Sequence, residues 1–292
     1  MKRPDAWSHA NMPPVRRSQS SLPIAMFDSG VGGLTVLHEC LVSLPHEDFV
    51  YLGDTARFPY GERSQDELRE FAHELAELLL DEGAKLLVVA CNSATAAALP
   101  RLREELGDRV GVVAVVQPES RLAARSTKSG SVGLLATPAT VASGAYERAL
   151  REAAPHARLH AVACPELAPM IQAGDEFDQR TVDTVEAYCE PLREAEVDTV
   201  ILGCTHYPLV RPILQRALGR QVTIVSSGEA IADAVHEELT ARGLENDPDR
   251  RGRYSFLATG DPEAFRAIGT RFLQMPLGRV RQVQVREARK AA

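Results

Sequence analysis

Short aliphatic runs alternate with longer stretches of helical period along most of the chain, and that alternation admits few folds. The runs cover residues 23–27, 49–52, 86–90, 110–116, 132–136, 159–163, 199–202 and 222–225. Near-continuous apolar runs of this length suit strands covered on both faces, as in a parallel sheet. Helical patterns fill the gaps at 65–81, 93–106, 141–152, 180–196, 208–218, 229–242 and 262–272. Strand and helix in turn predict an α/β fold. A last run, 279–285, alternates apolar and polar residues, which suits an edge strand.

An internal echo divides the chain. Leu-Leu-Val-Val-Ala-Cys91-Asn-Ser-Ala resembles Thr-Val-Ile-Leu-Gly-Cys204-Thr-His-Tyr, 113 residues later. Each is an apolar strand, then Cys, then small polar residues, then a helical pattern. That spacing is about one small α/β domain. The expected architecture is two similar open parallel-sheet α/β domains with the active site in the cleft between them. The predicted boundaries are a first domain of 22–116 with 227–292, and a second of 117–226. Each domain then presents one cysteine at a strand's C-terminal end, where open α/β sheets bind ligands.

Composition narrows the function classes. Apolar residues are 45% and charged residues 25%, which excludes a largely disordered chain. No stretch of 18 apolar residues exists, so no membrane span is expected. The net charge of −7 argues against a dedicated nucleic-acid binder. Residues 1–21 carry +3 and residues 278–292 carry +4 on a body of −14. Both ends read as solvated tails, the first as a disordered basic extension. That extension lacks the apolar run of a secretory signal. Five cysteines with long gaps and no C-x-x-C form neither a disulfide framework nor a zinc ribbon. They fit a reducing, cytoplasmic setting.

Cys91 and Cys204 carry the chemistry. A helix N-terminus stabilises a thiolate, and a thiolate so placed is a base or nucleophile. A single cysteine reads most plainly as a small buried hydrophobe, and Cys40, Cys164 and Cys189 are read so. Two matched copies are not explained by packing. Cys204-x-His206 offers only one close metal-ligand pair, so no metal is expected. No G-x-S-x-G elbow supports a serine hydrolase. A Cys–His peptidase leaves one of the two cysteines without a role. Asp28-Ser-Gly-Val-Gly-Gly-Leu-Thr35 is neither a dinucleotide fingerprint nor a Walker A. It is read as an anion-accepting turn or a tight turn needing small residues, with Asp28 facing the cleft. Pro59-Tyr60-Gly61 reads as a turn whose Tyr60 ring and Gly61 backbone reach a ligand. Thr137 and Thr140 read as carboxylate ligands or as an N-cap.

One thiolate can remove a proton from carbon while a thiol on the opposite face returns one, giving the mirror-image centre. An α-proton beside a carboxylate is weakly acidic, so donors must stabilise the enediolate. Ser29, Asn92, Ser93 and Thr205 are placed to serve. The chain resembles the glutamate racemases of the cofactor-independent aspartate/glutamate racemase family. The motifs are Phe27-Asp-Ser-Gly-Val-Gly-Gly33, Tyr51-Leu-Gly-Asp-Thr55, Pro59-Tyr-Gly61, Ala90-Cys-Asn-Ser-Ala94 and Leu202-Gly-Cys-Thr-His-Tyr-Pro208.

The resemblance implies two bases, Cys91 assisted by Asp28 and Cys204 assisted by His206. It implies a glutamate site of Asp28, Ser29, Tyr60, Gly61, Asn92, Ser93, Thr205 and His206. It further implies no cofactor, a homodimer, and D-glutamate supply for peptidoglycan. Two positions depart from the family, Gln117 and Gln172, where it commonly has Glu. An acid at the second is expected to be dispensable or replaced by Asp175 or Glu176. The alternatives are another two-cysteine racemase, acting on aspartate or a hydantoin, and a non-catalytic binding protein on the same scaffold.

Overall fold

A computed structural model describes residues 19–175 and 177–285. The chain runs β1 (Ile24–Asp28), α1 (Leu34–Ser43), β2 (Phe49–Gly53), α2 (Gln65–Asp81), β3 (Leu86–Val89), α3 (Asn92–Leu106) and β4 (Gly111–Ala114). It leaves through α4 (Val116–Ser126). There follow β5 (Ser131–Ala136), α5 (Pro138–Ser143), α6 (Ala145–Ala153), β6 (Arg158–Ala163), α7 (Leu167–Ala173), α8 (Gln179–Glu194), β7 (Thr199–Gly203), α9 (Arg211–Leu218) and β8 (Thr223–Val225). The chain returns through α10 (Ser227–Arg242) to β9 (Tyr254–Ala258), α11 (Pro262–Leu273) and β10 (Val280–Gln282).

Two parallel sheets result. The first has the order β10-β9-β2-β1-β3-β4 and the second β6-β5-β7-β8. The central strand β1 shows why continuous apolar runs were needed. Successive side chains point to opposite faces. Ile24 and Met26 enter a core that continues into the second sheet, whereas Ala25 and Phe27 pack under α2 and α3. All five β1 residues are buried. Edge strand β6 differs: its run reads as apolar, yet all six of its residues are exposed or half-buried, and it has a neighbour on one side only.

Local signals fix the helix ends. Ser64 caps α2 in a capping box with Glu67. Gly144 stops α5 at φ 65°, which splits the predicted helix 141–152 in two. Strand β9, helix α4 and helix α7 are absent from the sequence expectations. The seven residues of α7 are too few to show a period. Among the described residues no helix is long and apolar enough to cross a membrane. The extension expected over 1–21 lies outside the described residues except for a 3-10 turn at Gln19–Ser21. Ser20 accepts a hydrogen bond there from Lys85 Nζ at 2.7 Å.

Candidate active site

The C-terminal ends of β1, β3, β5 and β7 face one cavity of about 410 Å³ between the sheets. Cys91 and Cys204 both line it, one from each sheet. So do Ser29, Tyr60, Gly61, Asn92, Ser93, Thr137, Thr205 and His206. Asp28 and Thr140 stand one layer behind, wholly buried or nearly so. Every sequence-predicted residue therefore lies at this cleft or directly against it.

Cys91 is the N-cap of α3, its Sγ accepting the Ala94 N–H at 3.4 Å. Cys204 differs from expectation. A bend and a 3-10 turn, Tyr207–Val210, follow it, and α9 begins only at Arg211. Neither thiol is acidified. Burial, with Asp28 adding repulsion, pushes Cys91 up to about 12. Such a rise costs the thiolate roughly 4 kcal/mol. A helix N-terminus returns only about 0.3–1 kcal/mol, so desolvation wins over the dipole. Burial also lifts Cys204 well above the usual thiol range. Both cysteines rest as thiols at neutral pH, and each needs a neighbour to take its proton.

Cys204 has that neighbour in His206. Its Nδ1 lies 3.9 Å from Cys204 Sγ, and its Nε2 lies 2.9 Å from Gln172 Oε1. A carboxamide oxygen only accepts, so Nε2 carries the proton and Nδ1 is left as an acceptor for the thiol. Phe58 and Phe272, both from first-sheet segments, flank the ring at 5.4 and 5.1 Å. Burial, and then Arg271, hold His206 down to about 3. Gln172 thus occupies the place expected of an acid and fixes the imidazole tautomer instead. Asp175 lines the cavity, while Glu176 lies outside the described residues. The substitution Gln172→Glu sets a carboxylate against Nε2. His206 is then expected to titrate about 1–3 units higher, read from its ring protons by NMR. An unmoved titration places the new carboxylate away from the ring.

The glycine-rich turn does accept an anion, but the anion is Asp28. Gly30 N–H donates to Asp28 Oδ1 at 2.9 Å, and the Gly33 and Ser29 amides help hold the carboxylate. Burial nevertheless raises the Asp28 pKa. Thr205 Oγ1 donates to Oδ2 at 3.2 Å, so a first-sheet carboxylate holds the residue beside the second-sheet cysteine. Its charge bears on both thiols, not on Cys91 alone.

Gly32 and Gly33 are required by close approach and not by a turn. A Cβ on Gly32 would lie 2.3 Å from Thr205 Oγ1 and 2.4 Å from His206 Nδ1. Gly32→Ala must displace both, and a 1 Å misplacement at a reacting centre costs about 10²-fold in rate. Stopped-assay turnover should fall by that order with the far-ultraviolet spectrum unchanged. Wild-type turnover in this variant would show that Thr205 and His206 do not need their present places.

The other polar groups tie the two sheets together. Ser93 Oγ lies 2.8 Å from Thr137 Oγ1 and 3.2 Å from Thr140 Oγ1. Thr137 also caps α5, as its N-cap reading expects, and it lines the cavity. Gly61 O accepts the Ala139 N–H at 2.9 Å. The Tyr60 hydroxyl donates to Asp54, a buried residue also bonded by Arg57 and Thr259. Asp54 belongs to the Tyr51–Thr55 motif, and its place behind Tyr60 has no sequence signal. Phe58 and Arg180 also line the cavity, and no sequence pattern points to either. Among the described residues no group of three or more His, Cys, Asp or Glu side chains is placed to hold a metal.

Comparison with known proteins agrees with this geometry. Residues 35–235 match the family model described as Asp/Glu/Hydantoin racemase. A glutamate racemase of Beutenbergia cavernae is 46% identical over 264 residues, covering 87% of this chain and 90% of that protein. A glutamate racemase isoform of Bacillus anthracis superposes with a TM-score of 0.85 at 37% identity, over 91% of this chain and 98% of that one. The glutamate racemase of Francisella tularensis, solved with D-glutamate, gives a TM-score of 0.85 at 29% identity, over 91% of this chain and 99% of that one. With two thiols facing one cavity from two parallel sheets, and with these relatives matched over nearly their full length, the chain belongs to the Asp/Glu/hydantoin racemase family.

Proposed function

We propose that this chain is a glutamate racemase, interconverting L- and D-glutamate by two-base proton transfer at Cα and so supplying D-glutamate for peptidoglycan. One observation carries the reading: cysteines from two different sheets line the same cavity, each beside a group able to take its proton. A thiolate removes the α-proton from one face. The electron pair passes into the α-carboxylate as an enediolate. The opposite thiol then gives its proton to the other face. Two thiols suffice for these steps, with the roles exchanged in the reverse direction.

Before each turnover the accepting cysteine must ionise. His206 and the Cys204 thiol each resist ionising alone, and together they form a thiolate–imidazolium pair in which each charge is the other's counter-ion. For Cys91 the acceptor is Asp28, whose raised pKa suits it to hold a proton. Ser29, Asn92, Ser93, Thr137 and Thr205 are assigned to the substrate's polar groups, with Tyr60, Gly61 and Thr140 shaping and bracing that site. The proposal includes two domains, 22–116 with 227–292 and 117–226, meeting at the cleft. It also includes a homodimer acting in the cytoplasm.

Circular dichroism of amino-acid solutions tests the reading. Purified protein should bring solutions of L-glutamate and of D-glutamate to zero ellipticity. Aspartate and hydantoin solutions should stay optically active. An unchanged glutamate signal, or a faster decay of aspartate or a hydantoin, overturns it.

A further inference from the structure

Behind the cavity lies a carboxylate that the proton transfers do not use. Glu119, in the first turn of α4, is wholly buried at 0% exposure. Helix α4 follows the last strand of the first sheet before the chain enters the second, and α10 begins where it comes back. Glu119 is bonded to both sides of that junction. Its Oε1 accepts from Ser227 Oγ, the first residue of α10. Its Oε2 accepts from the Tyr146 hydroxyl of α6 and from Asn92 Nδ2 at 3.2 Å. All three partners are neutral, and burial pushes the carboxyl up to about 7.

Asn92 is the link to the chemistry. It follows Cys91 directly, lines the cavity, and is only 3% exposed. Its Nδ2 is committed twice, to Glu119 and to the Tyr146 oxygen at 2.6 Å. Its Oδ1 is buried and has no partner. Buried amide oxygens are rarely left so, because the loss of water is not repaid. With Glu119 ionised, turning the amide would press Oδ1 against a carboxylate oxygen and leave two acceptors facing each other.

We propose that Glu119 is a positioning residue for racemisation: it fixes the carboxamide of Asn92, which lines the cavity next to Cys91, from a point tied to both crossings between the sheets. The proposal rests on the racemase reading. The amide's setting and the relative placement of the two sheets then share one anchor. Glu119 touches no reacting atom and acts through Asn92.

A double-mutant cycle tests this. Glu119→Met keeps the length of the side chain and removes the acceptor, and kcat/KM for glutamate is expected to fall about tenfold or more. Glu119→Gln can place its oxygen toward Asn92 and its NH₂ toward the Ser227 hydroxyl, so activity should stay within about threefold of wild type. In an Asn92→Ala background, Glu119→Met should cost nothing further, since effects routed through one residue are not additive. Tyr146→Phe removes one of the two anchors of Nδ2. It runs through the same cycle if the methionine variant is not folded by near-ultraviolet circular dichroism, with a loss of about threefold or more that also vanishes without Asn92. A loss of under twofold in the variant that is read, or a loss that multiplies in full with that of Asn92→Ala, overturns the proposal. A wild-type protein that does not racemise glutamate overturns the racemase reading instead, and that measurement is made first.

Discussion

Cys91→Ser and Cys204→Ser are each expected to lower glutamate racemisation by about 10²–10⁴-fold, the range that positioned acid–base groups supply. The loss should be the same in both directions for both variants. Each direction uses one cysteine as base and the other as acid, so removing either stops the forward and the reverse reaction alike. A serine hydroxyl is a far weaker acid than a thiol, and in a cavity that already pushes the Cys91 thiol up to about 12 it will not ionise. The two variants should differ in a second reaction. With a β-chloro analogue of glutamate, a single base takes the α-proton while chloride leaves the β-carbon, and no proton is returned. Each serine variant should retain this elimination for one enantiomer and lose it for the other, with the preference reversed between them. Chloride release measured on both enantiomers gives the result. Either variant racemising near the wild-type rate would end the two-base scheme. Loss of elimination from both enantiomers in one variant would show damage to binding and not to one face.

Much of this was legible because the decisive features are local. The strand–Cys–polar echo placed Cys91 and Cys204 at matched strand ends, and the parallel sheets deliver both ends to one cavity. What sequence spacing could not show was the electrostatics. The dipole at a helix start can be inferred from a motif, whereas the burial that outweighs it is a property of the assembled cleft. Contacts across the sheets were equally hidden. Asp28 meets Thr205 across 177 positions and Glu119 meets Ser227 across 108, distances over which a sequence pattern carries no signal. Gly32 shows the same limit in another form. Its smallness reads as a turn requirement, while its real neighbours are Thr205 and His206 of the other sheet's loop. Gln172 stood out only as a departure from a resemblance. Its hydrogen bond to His206 Nε2 gives that departure a physical meaning.

His206→Asn is expected to lower kcat/KM about 10²-fold, and the form of the loss identifies its cause. Mirror-image amino acids in water have equal free energies, so the equilibrium constant is one. The two directions must then lose the same factor in kcat/KM, whatever His206 does. A directional role therefore shows in isotope effects and not in that ratio. His206 Nδ1 stands 3.9 Å from Cys204 Sγ, and no comparable contact joins it to Cys91. Asparagine retains an acceptor at this place but cannot hold the thiol's proton. When Cys204 is the base, proton abstraction becomes harder, and the primary effect with α-deuterated substrate should rise for the enantiomer whose proton Cys204 removes. When Cys204 is the acid, its thiol returns the proton, so the solvent deuterium effect should rise for the opposite enantiomer. Acidic pH does not confound the comparison above about pH 5, because burial holds His206 down to about 3 and the wild-type imidazole stays neutral there. Asp28→Asn provides the contrast. Asp28 bears on both thiols, so its removal should change the isotope effects for both enantiomers. Should His206→Asn also raise both substrate effects equally, the ring is only a wedge between Phe58 and Phe272, and Cys204 must lose its proton by another route.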